Sequence, residues 1–90
     1  MTSLAELKRK CAKGTTLTML YHIIPNCKLI GQKRKVKRIQ GNAITLDTNG
    51  SESWLWWPKA KDILFYSDYP ERFGIREESL VVMVYEVSQP

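Results

Sequence analysis

Histidine and cysteine are scarce in this sequence: one His22, and two cysteines, Cys11 and Cys27. A zinc site takes about four nitrogen, sulfur or carboxylate ligands, so these three residues cannot build one without recruited carboxylates. A cysteine nucleophile would need a partnered base, and His22 is adjacent to neither a serine nor a cysteine. There is no glycine-rich phosphate loop, no metal-ligand spacing and no nucleophile elbow. The chain is therefore expected to be a non-enzymatic binding protein that needs no metal or cofactor and turns over no small-molecule substrate. Long apolar runs are missing as well. None approaches the eighteen or so residues of a membrane span, and Met-Thr-Ser-Leu-Ala-Glu-Leu-Lys at the start has no hydrophobic signal core. These features predict a cytoplasmic protein off the membrane, with both cysteines as free thiols. Low-complexity tracts are absent too, so order is expected everywhere except Met1 and the Ser88-Gln89-Pro90 tail.

What is present suits one small β-rich domain over residues 1–90. Ninety residues give a thin core, while 43% hydrophobic content and nine aromatics supply its bulk. Ser3 and Glu6 form a capping box, and Leu4, Leu7 and Cys11 follow one helical face. This predicts a helix over 3–13, ended by Gly14. From Thr15 the period becomes two: Leu17, Met19, Tyr21 and Ile23 alternate with Thr16, Thr18, Leu20 and His22. Pro25-Asn26 ends that strand. A second runs from about Lys28 to Gln40, and the three-residue step from Val36 to Ile39 predicts a bulge or bend. Gly41-Asn42 and Asn49-Gly50 suit tight hairpins, so strands two, three and four form an antiparallel meander.

Pro58–Asp62 reads as one helical turn and Ile63–Tyr66 as a fifth strand. Ser67–Ser79 reads as a polar loop with a brief strand near Phe73–Arg76. Leu80–Val87 closes the chain with apolar residues on both faces. One of those faces, with Val82 and Val84, needs a cover, which the amphipathic helix is expected to provide. The pattern predicts a mainly β fold over 15–87: a small five- to six-stranded antiparallel barrel of the Src-homology-three type, plus one N-terminal α-helix. The alternative is an open α+β sheet.

The net charge of +5 is unevenly spread. Residues 1–49 carry +8 and residues 50–90 carry −3. Such asymmetry points to a polyanionic partner. The basic run supplies Lys33, Arg34, Lys35, Lys37 and Arg38, and the helix adds Lys8 and Arg9. On a regular strand Lys33, Lys35 and Lys37 face one way, and Arg34, Val36 and Arg38 the other, unless the bulge shifts the phase. Lysines spaced about 7 Å apart match a nucleic-acid backbone, but they also serve to discourage pairing at an edge strand.

Aromatic residues form the second candidate surface. Alternation sends Trp54 and Trp56 to one face, Leu55 and Trp57 to the other. A small barrel cannot hide both, so one pair is expected in the core and the other at a rim. Exposed tryptophans, with Tyr66 and Tyr69, could stack on bases or fill a protein pocket.

The stretches Val36-Lys37-Arg38-Ile39-Gln40 and Ser53-Trp54-Leu55-Trp56-Trp57-Pro58-Lys59-Ala60 resemble small accessory proteins carried by phages and prophages, over about residues 4–66. The resemblance implies a phage-encoded protein acting inside the host by binding a host factor, inhibitors of defence nucleases among them. It transfers no functional residue. Two functions follow as expectations. In one, the module binds nucleic acid or a nucleic-acid-bound protein through its bases. In the other, it blocks or recruits a host protein through exposed Trp and Tyr.

Overall fold

A computed structural model describes residues 1–48 and 50–89. It contains one helix, α1 (Leu4–Lys10), seven strands and a single 3-10 turn (Ala60–Asp62). The strands are β1 (Thr16–His22), β2 (Lys33–Gln40), β3 (Ala43–Thr48), β4 (Ser51–Trp56), β5 (Ile63–Phe65), β6 (Arg72–Glu77) and β7 (Leu80–Ser88). Every pairing is antiparallel, in the order β4-β3-β2-β1-β7-β6-β5. The protein is thus mainly β with one short helix, and its sheet has seven strands rather than five or six. The sheet is not closed, because β4 and β5 remain as edges.

The brief strand expected near Phe73–Arg76 is β6, which spans Arg72–Glu77 and pairs with both β5 and β7. Glu78 and Ser79 take φ of 51° and 72°, which turns β6 into β7 through a two-residue loop with Glu77 opposite Leu80. Two successive left-handed residues are the geometry that Asn-Gly normally supplies. With Glu-Ser in their place, the sequence pattern reads as loop. The expected strand from Lys28 also starts late. Residues 23–32 form turns instead, with Cys27 accepting from Ile30 and Leu29 accepting from Gln32. At Gly41 φ is 59° while Asn42 stays in the ordinary region, the pattern of a turn with glycine first. Asn49 of the other predicted turn lies outside the described residues; its flanks pair Thr48 with Ser51.

Bulges decide which side chains point inward. One lies between Met19 and Tyr21, a second between Val36 and Arg38, and a third between Ile75 and Arg76. The first turns Tyr21 away from the core, so the regular alternation predicted through Ile23 stops at Met19, and Tyr21 and Ile23 are exposed. The third puts Val82 in the core cluster with Tyr85 and Val87, while Val84 faces the outside beside Tyr21.

The helix is shorter than predicted, with Ser3 accepting from the Glu6 amide and Cys11 as its C-terminal cap. Thr2 donates its backbone N–H to Glu6, and that bond chiefly holds the Glu6 carboxyl below its ordinary range. The helix does not cover Val84. It buries Leu7 and Cys11 in the same core as Leu17, Val36 and Val87. Lys8 meets Asn42 in the β2–β3 turn, the Lys10 carbonyl accepts from Gln89 and Thr15, and the Met1 ammonium donates to the Pro70 carbonyl. These contacts lay it across one end of the curled sheet, whose interior is already filled by both walls. Met1, predicted loose, is tied down by that bond, and Ser88 belongs to β7. Both thiols are free.

Candidate functional site

The bulge in β2 determines the charge pattern. Arg34 and Val36 point into the core, while Lys33 and Lys35 are exposed. Because the register slips between Val36 and Arg38, Lys37 and Arg38 both reach the outer face, where they bond Glu52 at 2.9 and 2.7 Å. Arg38 therefore joins the lysines instead of opposing them. The Lys37 bond, reinforced by Arg38, holds the Glu52 carboxyl below its ordinary value. Four cations thus share this face with two carboxylates, Asp47 and Glu52, so its net charge is about half of what the run alone suggests.

β4 presents Trp54 and Trp56 on the same outer face and hides Leu55, and Trp57 just after it is buried as well. Arg38 is opposite Thr45, which is opposite Trp54; Gln40 is opposite Ala43, which is opposite Trp56. Two strand spacings put the tryptophan backbone about 10 Å from that of β2. The Trp54 and Trp56 rings lie 6.0 Å apart at 18°, and are 50% and 65% exposed. Lys8, from the helix, reaches the Asn42 side chain at the end of this platform, and Arg9 is exposed beside it.

The remaining aromatic candidates lie elsewhere. Tyr66 and Tyr69 line a separate cavity of about 280 Å³ with Leu20, Tyr21, Arg72 and Val84. Arg72 lies 4.2 Å over the Tyr69 ring and bonds Glu86. Gly74 makes room for Tyr66: a Cβ there would meet the phenol oxygen at 2.9 Å. The tyrosines are not part of the tryptophan platform. Trp57 is in the core against Phe73 and is unavailable as a contact residue.

Arg34 is the main departure from the expected basic surface. It is 4% exposed, with Nη1 donating to Ser53 Oγ at 2.6 Å and Nη2 to the Tyr85 hydroxyl at 3.3 Å. Burial pushes the Tyr85 phenol up, partly offset by the Arg34 charge. Alternating side chains predict an inward residue here, but the acidic partner that usually accompanies it is missing among the described residues.

Sequence reasoning did not find a cleft of about 910 Å³ along the unpaired edge of β4. Trp54, Trp56 and Pro58 form one side, and Ile23, Leu80 and Val82 the other. Its far wall is the β6–β7 hairpin, whose turn carries no glycine signal. His22 accepts from the Ile24 amide at 3.0 Å, a local role. Among the described residues no helix is long and apolar enough to cross a membrane, and no three His, Cys, Asp or Glu side chains group to hold a metal ion. No family model, curated protein or solved structure matches the chain.

Proposed function

We propose that the protein binds single-stranded nucleic acid, or a protein presenting it, on the outer face of β2, β3 and β4. The observation that carries this reading is the exposed Trp54–Trp56 stack in the same cross-strand rows as Arg38 and Gln40. Bases stack on aromatic faces regardless of sequence, at about 1–3 kcal/mol per base. Phosphates would follow Lys35, Lys37 and Arg38, with Lys8 extending the track. Binding is stoichiometric and involves no bond-making chemistry. The curl of the sheet supports a barrel-like wrap of the Src-homology-three type, which gives this face its convex shape.

Titration of single- and double-stranded DNA and RNA at about 50 and 200 mM salt tests the proposal. Single strands should bind with a log–log salt slope near −0.7 per phosphate neutralised. Absence of binding to any of them at about 50 mM salt would refute it.

The cleft beside the free edge of β4 favours a second reading, in which an extended segment of a host protein adds to that edge. There Trp56→Ala should abolish capture, while Lys35→Glu mainly slows association. Nucleic-acid binding predicts strong effects of both, together with a shallower salt dependence in Lys35→Glu.

A further inference from the structure

A guanidinium buried without an opposite charge is costly, because low dielectric penalises an uncompensated ion. Arg34 is such a group. Its two bonds go to neutral hydroxyls, and among the described residues its Nε–H has no partner. Among the described residues no carboxylate oxygen lies within 4.0 Å of it, since the ion pairs are Lys37–Glu52, Arg38–Glu52 and Arg72–Glu86. Of the five N–H donors of an arginine, the hydrogen bonds among the described residues engage two. The side chain also lines a recess of about 300 Å³ between Leu29 and Gln32 on one side and Ser51 and Ser53 on the other. Glu52 borders the recess, but its charge is engaged by Lys37 and Arg38 on the outer face.

We propose that this recess is a binding site for a single oxyanion group, a phosphate or a carboxylate, held by Arg34 with Ser51 and Ser53 at its rim. The planar guanidinium fork matches two oxygens of either group. The bound anion supplies the missing countercharge. The exposed Ser51 hydroxyl marks the entrance, and Ser53, already paired with Nη1, fixes the plane of the guanidinium. The site is distinct from the tryptophan platform, because Arg34 points to the opposite face of β2 from Lys35 and Arg38.

The test uses the full chain at pH 7 in sodium phosphate, sodium acetate or sodium chloride at matched ionic strength. Melting temperature and the Arg34 Nε–H cross-peak are followed together. A ligand that binds only the folded state raises its melting temperature with concentration. Phosphate or acetate should therefore stabilise the protein beyond chloride and shift the cross-peak. The more potent of the two identifies the source as a phosphorylated ligand or a carboxylate such as a chain terminus. Equal behaviour in all three salts overturns the proposal. Arg34→Met should lose the anion response, and an unchanged response would place the anion on the outer lysines. Should that variant fail to fold, Ser51→Leu at the exposed entrance should shift the anion midpoint at least tenfold; no shift overturns the proposal. Trp54→Ala should leave the response intact, which separates this site from the nucleic-acid reading.

Discussion

Trp57 and Phe73 meet with ring centroids 6.1 Å apart, although Trp57 directly follows β4 and Phe73 lies in β6, near opposite edges of the sheet. Five strand spacings on a flat sheet would separate them by about 24 Å. The sheet therefore curls until its two flanks share one core, and side-chain packing does what a hydrogen-bonded seam does in a closed barrel. Phe73 also stacks on Tyr85, 5.5 Å away. Trp57→Ala is expected to cost about 3–5 kcal/mol, measured by chemical denaturation. A loss under about 1 kcal/mol would show that the curl is held elsewhere.

Trp54→Ala and Trp56→Ala should behave oppositely. Both rings are largely exposed, so denaturation midpoints should move little, within about 0.5 kcal/mol. Single-strand affinity should fall by about 1–3 kcal/mol for each ring. Unchanged affinity would remove the platform from the binding surface.

Glu52 restrains the basic face by holding Lys37 and Arg38. Glu52→Gln frees both cations, so polyanion affinity should rise and the salt dependence steepen. The same pair has a pH signature. Because the folded carboxyl titrates below its ordinary value of 4.5, its stabilisation is present above that value and is lost as pH falls through the folded pKa. Stability curves for wild type and Glu52→Gln should therefore converge in acid. An affinity decrease in Glu52→Gln would show that the carboxylate aids binding.

The β6–β7 turn holds Ser79 at φ 72°, in the left-handed region that favours glycine. Ser79→Gly should raise stability by about 1 kcal/mol, read from the shift in melting temperature. A destabilised variant would mean that the Ser79 side chain contributes more than its backbone strain costs.

Cys11 reports on helix docking. Burial pushes its thiol up to about 12, so it should resist alkylation at pH 8 while Cys27 reacts. With the folded value above the ordinary 9.0, stability should fall as pH rises from about 9 to 12. Leu7→Ala, which opens a fully buried site, should cost about 2–5 kcal/mol and expose Cys11 to the reagent. Equal reactivity of both thiols in the native protein would contradict the docked helix.

Several features were determined by the sequence alone, because they depend on neighbours a few residues away. The Ser3–Glu6 helix start, the β2–β3–β4 meander and the separation of Trp54 and Trp56 from Leu55 and Trp57 follow from capping, turn chemistry and the period of two. The bulge in β2 was also legible, from the spacing of Val36 and Ile39. Only the tertiary structure decided what lay opposite those residues. It turned Arg38 outward with the lysines, buried Arg34 beside Tyr85, and paired Lys37 and Arg38 with Glu52. It also placed Tyr66 and Tyr69 away from the tryptophans. The brief strand near Phe73–Arg76 was legible, but its extension to Glu77 and the tight β6–β7 turn without glycine were not, because pairing of β6 with β7 and burial of Phe73 outweigh local strain. Local propensity cannot register such non-local terms, since charge balance and burial belong to contacts between residues far apart in the chain.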